Sequence, residues 1–375
     1  MADPRTIVIP AELLPADGRF GSGPSKVTAG RLEALAATGS TLVGTSHRQP
    51  PVKKLVRRVV DGLTTLFGLP DGFEIAIGNG GSAAFWDLAT FALIEERSQH
   101  AVFGEFGAKF AKAANAAPWL KAPAMRTAEP GTRVEVAFDA DVDTYAWTHN
   151  ETSTGVWAPV GRPAGMTPEQ LTLVDATSAA GGLALDLSQA DVYYFAPQKS
   201  FASDGGLWIT TLSPAAIERA EKIAASGRYI PEFFSLTTAL KNTRADQTLN
   251  TPAVATLFLM AEQLDWMNAN GGLAGMAART AASAAVLYGW AERSSYAAPF
   301  VDDPENRSDV VGTIELDPSI SKTEVMDVLR ANGVVDLDAY RGIGANQLRI
   351  AMYPAVDASD VEALTTCIDY VVEQL

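Results

Sequence analysis

Cysteine is nearly absent: Cys367 is the single one in 375 residues. One thiol cannot close a disulfide within the chain, and its solitude removes the cysteine-rich zinc sites and agrees with a reducing compartment. Histidine is almost as scarce. His47, His100 and His149 stand far apart, and none belongs to an HExxH pattern, so an imidazole-based metal centre has no ligand set. Only a magnesium site made of carboxylates stays open, and no metal is expected. Basic residues are in deficit, with 29 Lys and Arg against 44 Asp and Glu and a formal charge of −15. That balance argues against a nucleic-acid surface and favours solubility, and any anionic ligand must be met by local arginines against the overall field. Long apolar runs are missing as well, and MADPRTIVIPAELLP has neither the basic start nor the apolar core of a secretory signal. No membrane partner is expected, and the cytoplasm is the expected location.

What is present is the composition of an ordinary globular protein, 47% hydrophobic and 19% charged, in a chain long enough for two domains. From about residue 72 to 212, short β-type runs alternate with helical stretches: FEIAI leads through GNGGS into AAFWDLATFALIEE, HAVF leads into a helix near 107–115, and TYAWTH, LTLVDAT, DVYYFA and GLWITTL follow. This alternation predicts an α/β sheet, mostly parallel, with helices on both faces. Residues 252–291 read as one long helix, or two broken at Gly271–Gly272, and the remainder runs β-α-β-α, suited to a smaller α+β domain. The domain boundary is expected near residue 255.

Ligands of such sheets gather at the carboxyl ends of the strands, and three features fall there. GNGGSAA (78–84) joins a strand to a helix; its glycines permit close backbone approach, and the free N–H groups of the helix start, with the Ser82 hydroxyl, form an anion site. It is neither a P-loop nor a clean GxGxxG. Asp175 ends the strand LTLVD, where a carboxylate either caps the turn at Thr177–Ser178 or holds a protonated ring nitrogen. Lys199 lies 24 positions later, past DVYYFAPQ in a turn of small residues, where a lysine is either solvated or a nucleophile toward carbonyl compounds. An anion cradle, an aspartate and a lysine on one sheet edge together match what pyridoxal 5′-phosphate requires.

With these residues in view the chain resembles the phosphoserine aminotransferases, fold-type I (class V) pyridoxal-phosphate enzymes, and in detail their actinobacterial branch. The resemblance runs from FGSGPSKV to the carboxyl terminus through GTSHRQPPV, GNGGSAAFWD, THNETSTGV, VDATSA, APQKSFASDGG, TLNTPAV and NQLRIAMYP. It implies a seven-stranded, mostly parallel sheet sandwiched by helices in a large domain of residues 18–255. A small domain of 256–375 would follow, with residues 1–17 packing near it. It further implies that Lys199 takes the cofactor aldehyde and Asp175 the ring nitrogen, that Thr152 bonds the ring hydroxyl, and that Gln198, Gly81 and Ser82 hold the phosphate. Phe106 falls where many relatives stack a tryptophan on the ring. Asn250 and Thr251 would reach the cofactor phosphate of a neighbouring subunit, which implies a homodimer with shared active sites. Arg349 would clamp the substrate α-carboxylate, and His47 and Arg48 would take the substrate phosphate or the glutamate side-chain carboxylate, with Arg341 a further candidate.

Two departures stand out. Ser82 replaces an arginine common after the glycine pair, and YRGIGANQ lacks the usual histidine-arginine pattern, so Lys26 is a candidate for the missing positive charge. The implied activity is transamination between glutamate and 3-phosphohydroxypyruvate, in serine biosynthesis. Alternatives at this stage are an alanine–glyoxylate type aminotransferase and a non-catalytic pyridoxal-phosphate binding protein. A cysteine desulfurase is disfavoured because Cys367 falls in the terminal helix.

Overall fold

The computed structural model describes residues 6–341, 343 and 346–375; residues 1–5 of the amino-terminal segment, and Gly342, Gly344 and Ala345 within YRGIGANQ, lie outside the described residues. In chain order the helices and strands begin with α1 (Ala29–Ala37), α2 (Pro50–Phe67), β1 (Glu74–Asn79), α3 (Ser82–Ala92), β2 (Ser98–Val102), α4 (Glu105–Ala116), β3 (Ala124–Thr127) and β4 (Thr144–Thr148). A two-residue ribbon, β5 (Asn150–Glu151) with β6 (Val156–Trp157), precedes β7 (Leu171–Asp175), β8 (Val192–Phe195) and β9 (Leu207–Leu212). Then come α5 (Pro214–Ala225), α6 (Leu236–Arg244), α7 (Val254–Ala269), α8 (Gly272–Arg293), β10 (Ala297–Pro299), β11 (Val311–Leu316), α9 (Lys322–Ala331), β12 (Gln347–Ala351) and α10 (Ala358–Gln374).

The main sheet has seven strands in the order β1-β9-β8-β7-β4-β2-β3. Only β9 runs antiparallel to its neighbours, so the carboxyl ends of β1, β2, β4, β7 and β8 share one edge. The expectation of a mostly parallel seven-stranded sheet is met. Its strands read as unbroken apolar runs because both faces are covered. The period-2 alternation then sorts the side chains: Val174, Tyr193 and Phe195 enter the core shared with α2 and α7, whereas Leu173, Val192 and Tyr194 enter the core shared with α3, α4 and α5. Helix α2 shows how local sequence serves this packing. Proline stands at its first positions, Val52, Leu55, Val56, Val59, Leu63 and Leu66 repeat at helical spacing on the buried face, and Gly68 ends it with φ of 53°.

A second sheet, β10-β11-β12, is antiparallel and packs with α8, α9 and α10 around a separate core that includes Leu287, Ile314, Val325, Leu348 and Ile368. The predicted break at Gly271–Gly272 is present, with Gly271 at φ of 93° between α7 and α8. The apolar clusters change over inside α8, for Met276 belongs with the first core and Ala284 with the second. In the amino-terminal segment Ile9 is buried in that second core, with Ile7, Leu13 and Leu14 against it. Residues 18–26 then form a strap between the two sheets. Phe20 O accepts from Ala351 N at the end of β12 (3.0 Å), Val335 N donates to Gly18 O (2.8 Å), and Ser25 N donates to Gln198 O (2.8 Å). No helix of the described residues is long and apolar enough to cross a membrane.

Candidate active site

A cavity of about 500 Å³ opens at the shared carboxyl edge of the main sheet, lined by residues that include Gly81, Ser82, Trp86, Phe106, Asn150, Thr152, Asp175, Gln198 and Lys199. Each arrives on a strand end. β1 delivers the glycine turn and the start of α3, β2 the start of α4 with Phe106, β4 the segment carrying Thr152, β7 Asp175, and β8 the pair Gln198–Lys199. The structure thus gathers Gly81, Ser82, Phe106, Thr152, Asp175, Gln198 and Lys199 at one place, although they span more than a hundred positions of sequence.

Lys199 is 8% exposed, and its ammonium donates to the backbone carbonyl of Ser22 in the strap. Burial, and secondarily the positive charge of Arg349, lowers its pKa to about 7 from an ordinary value of 10.5; Asp175 and Glu151 act in the opposite sense. Near neutrality a large fraction is therefore free amine, the form that attacks carbonyls. The strap comes this close because residue 23 is glycine. With φ of 148° it occupies backbone space open to few other residues, and a Cβ there would stand 2.5 Å from Lys199 Nζ. On the other side the turn tightens at Ala202, whose N–H donates to Lys199 O (3.0 Å) at φ of 44°, a strained conformation for a residue with a side chain.

Asp175 is 5% exposed and fixed at both oxygens: Oδ1 accepts from the Thr177 N–H (2.9 Å) and hydroxyl (2.5 Å), and Oδ2 from Trp86 Nε1 (3.1 Å). Desolvation pushes its carboxyl up, against these donors. Thr177 Oγ1 also lies 2.6 Å from Ser82 Oγ and so links the aspartate to the glycine turn. Thr152 donates to Ser178 Oγ (2.7 Å), which also accepts from Asn150 Nδ2 (2.7 Å). Phe106 is held by Glu151, a fully buried carboxylate that accepts the Phe106 and Gly107 N–H groups (both 3.1 Å at Oε2) and the Ser153 hydroxyl (2.6 Å at Oε1). Glu151 thereby satisfies backbone donors that the start of α4 leaves open. Burial raises its pKa.

Arg349, on β12, is half-buried beside the same site. Its Nη1 donates to Thr152 O (3.1 Å), and its buried Nε has no partner among the described residues. Lys26 does not supply charge to the cavity. It forms a buried ion pair with Asp360 (3.0 Å, both side chains 4% exposed), which also accepts the Ala16 N–H (3.0 Å), so the strap is anchored to α10. Arg341 is exposed in the loop before β12. His47, Arg48, Asn250 and Thr251 form a separate surface group: Thr251 Oγ1 lies 3.2 Å from His47 Nδ1, Arg48 bonds Gln247 (3.0 Å), and Asn79 ties Thr251 O to the end of β1 (2.9 Å).

Trp86, Glu151, Asn150, Ser178, Tyr353 and the Ser22 carbonyl were not among the residues expected at the site. Trp86 carried a signal, since it lies four positions after Ser82 on one helix face. Tyr353, whose hydroxyl donates to Ser22 O (3.0 Å), and that carbonyl itself carried none.

What the cavity can hold follows from its unsatisfied groups. Gln198 Oε1 and Asn150 Oδ1 are buried without a partner among the described residues. Helix α3 starts at Gly81 without a capping side chain, and a Cβ at Gly81 would meet open space, so an anion can sit against its first N–H groups. An aromatic face at Phe106, an acceptor for a cationic ring nitrogen at Asp175 and an amine at Lys199 complete the requirements of a phosphorylated pyridine aldehyde. The residues fit that group. Asp204 also lines the cavity, and the geometry assigns its carboxylate no role. Among the described residues no cluster of His, Cys, Asp and Glu is suited to a metal.

Known proteins agree with this geometry. A family model described as "Aminotransferase class-V" matches residues 119–364. The chain is 65% identical to a phosphoserine aminotransferase of Nocardioides sp. over 98% of both chains. It is 55% identical to that of Rhodococcus opacus over 99% of both. Among solved structures, a phosphoserine aminotransferase of Cytophaga hutchinsonii superposes with a TM-score of 0.87 at 23% identity, covering 94% of this chain and 99% of that one. Fold, family model and full-length identity converge, and the chain belongs to the phosphoserine aminotransferases within the class-V aminotransferase family.

Proposed function

We propose that the chain binds pyridoxal 5′-phosphate around Lys199 and transfers an amino group from L-glutamate to 3-phosphohydroxypyruvate, yielding O-phospho-L-serine and 2-oxoglutarate. The observation that carries the reading is the buried pair of Lys199, with its pKa near 7, and Asp175, at neighbouring strand ends of one cavity. When bound, the cofactor supplies an aldehyde to receive the amino group and a protonated ring to accept electron density from the substrate Cα. Lys199, as a neutral amine, takes the proton from Cα and returns it to the acceptor carbon. Asp175 keeps the ring nitrogen protonated, a task for which its pinned carboxylate needs no reorganisation. Thr152 orients the ring hydroxyl, Phe106 covers one face of the ring, and Gly81, Ser82 and Gln198 hold the phosphate. Arg349 clamps the α-carboxylate, for which its unpartnered Nε supplies an open donor.

The finer assignments follow from the same reading. A homodimer explains why His47, Arg48, Asn250 and Thr251 lie together away from their own chain's cavity: they serve the neighbouring subunit's site, where His47 and Arg48 receive the distal anion of the substrate, with Arg341 of the small domain beside them. In support, α1 buries none of its residues, and Leu32 and Val43 nearby are each 48% exposed, an apolar surface suited to a second copy. The large domain is taken to run from residue 18 through α7 and into α8, later than the expected boundary near 255 because α7 lies in the first core; the small domain comprises the remainder, and the cytoplasm is the proposed location.

The test compares turnover with glutamate as donor and 3-phosphohydroxypyruvate, glyoxylate or pyruvate as acceptor. The phosphorylated acceptor is expected to give by far the highest kcat/KM. Equal or better turnover of glyoxylate or pyruvate would overturn the assignment.

A further inference from the structure

The two sheets also meet on the far side of Phe106, through a cation that none of the roles above uses. One turn along α4, Lys109 donates from Nζ to the Tyr340 hydroxyl (2.7 Å) in the loop before β12. The same Nζ lies 5.2 Å from the centre of the Phe106 ring and 5.4 Å from that of Tyr340, and the Arg349 guanidinium also stands 5.4 Å from the centre of the Tyr340 ring. Phe106 and Tyr340 meet edge to face at 5.4 Å. Two cations, Lys109 and Arg349, thus lie against one tyrosine that packs on Phe106, a residue lining the cavity.

Three observations give this arrangement a ligand. Among the described residues the buried Nε of Arg349 has no partner, so a donor stays open to an anion near Tyr340. Lys109 keeps donor capacity: of three ammonium hydrogens one goes to Tyr340, and its other neighbour, Glu105 at 3.3 Å, forms a pair in which both side chains are 40% exposed, the solvent-screened kind that holds a lysine weakly. Lys26, the other lysine considered for this task, is sealed in its pair with Asp360. The Tyr340 hydrogen bond raises the Lys109 pKa, so the group remains a cation throughout the physiological range. Lys109 Nζ and the Arg349 guanidinium each lie 5.4 Å from the centre of the Tyr340 ring, so they stand at most about 11 Å apart, a span open to a small substrate with its α-carboxylate on Arg349 and its other end toward Lys109.

We propose that Lys109 is a specificity-determining residue: steadied by the Tyr340 hydroxyl, its ammonium takes a phosphate oxygen of the substrate and favours phosphorylated over unphosphorylated amino acceptors. The proposal deepens the transaminase reading and rests on it. Tyr340 is then a positioning residue, acting through Lys109.

The experiment measures the ratio of kcat/KM for 3-phosphohydroxypyruvate to that for pyruvate in the cofactor-loaded wild type, Lys109→Met, Lys109→Arg and Tyr340→Phe, together with the dissociation constant of phosphoserine by calorimetry. Lys109→Met is expected to lower the ratio and weaken phosphoserine binding by roughly tenfold to a hundredfold, the range for losing a hydrogen bond between charged groups. Lys109→Arg retains most of both, and Tyr340→Phe lowers both to a smaller degree. A ratio and a dissociation constant in Lys109→Met equal to those of the wild type overturn the proposal while leaving the transaminase reading intact. A wild type that does not prefer the phosphorylated acceptor overturns both. Should Lys109→Met not fold, Lys109→Gln and Tyr340→Phe carry the same comparison with the same two outcomes.

Discussion

Replacing Lys199 by methionine should stabilise the cofactor-free protein, and by an amount that depends on pH. The folded site lowers the lysine pKa to about 7, whereas the unfolded chain restores it to about 10.5. Below about pH 7 both states carry the proton, and the folded state bears the full cost of a desolvated ammonium. Between about 7 and 10.5 the unfolded chain binds one more proton than the folded one, so wild-type stability rises with pH through this window. At about 1.36 kcal/mol per pH unit, the gap sets a ceiling of about 5 kcal/mol. Methionine has similar length and no charge, and the Ser22 carbonyl keeps the Tyr353 hydroxyl as a donor, so the substitution leaves no orphaned acceptor there. Lys199→Met is therefore expected to exceed the wild type by about 2–5 kcal/mol at pH 6.5 and to come within about 1 kcal/mol of it at pH 10.5. Urea denaturation of both cofactor-free proteins, at equal concentration across this range, reads the difference, and titrations common to the two cancel. Parallel stability curves, with a gap that does not close as pH rises, would refute the reasoning.

Two further substitutions test the supports of the site. Trp86→Phe removes the indole donor to Asp175 Oδ2, a bond already made without the cofactor; a hydrogen bond to a charged group contributes about 1.5–3 kcal/mol, so the cofactor-free protein should lose about that much stability in urea denaturation. An unchanged stability contradicts the support given to Trp86. Asp360→Ala leaves the buried Lys26 ammonium only the longer pair with Asp17 at 4.0 Å and releases the Ala16 N–H, and should cost about 2–4 kcal/mol in urea denaturation. A loss below about 1 kcal/mol, the range of a surface pair, contradicts the anchoring of the strap to α10.

The parts of the site legible in the sequence are those that a strand end presents by itself. Asp175 and Lys199 each close a run whose β character is plain, and Gly81–Ser82 sit where a strand becomes a helix, so period and punctuation located them before any contact was known. Glu151 escaped because its partners are backbone N–H groups of α4, some 45 residues upstream, and nothing in HNET announces which helix start it will meet. The Lys109–Tyr340 bond joins positions 231 apart, and a half-buried lysine one turn into a helix carries no mark of a partner in a distant loop. The lysine dock is less visible still. Its acceptor is a main-chain carbonyl, and only the glycine at position 23, with φ of 148°, records that another group must come close. The early segment also hid a competing use for Lys26: the positive charge missing from the family pattern made it a candidate for the cavity, but Asp360 captures it from 334 positions away.

The charges of the site explain why a protein would keep such a costly arrangement. Asp175 and Glu151 are buried acids with raised pKa values, Lys199 a buried base with a lowered one, and Arg349 a half-buried cation with an idle donor. Among the described residues none of the four is ion-paired with another, although opposite charges lie close enough to shift the Lys199 pKa. Direct pairing would have lowered the energy of the empty cavity and made each group unavailable, since breaking a buried pair costs several kcal/mol. Glu151 shows how this is avoided. Its carboxylate is compensated by amide and hydroxyl donors from Phe106, Gly107 and Ser153, so its negative charge contributes to the field around Arg349 and Lys199 without occupying either cation. Asp175 follows the same rule with Thr177 and Trp86. The site is thus unfavourable when empty because its charges are held by dipoles rather than by each other, and a ligand carrying a cationic ring nitrogen, a phosphate and a carboxylate supplies the missing partners. That is electrostatic preorganisation at the expense of stability, and it is the reason the loss of a single charge at Lys199 should strengthen the fold while, on the proposed mechanism, ending activity.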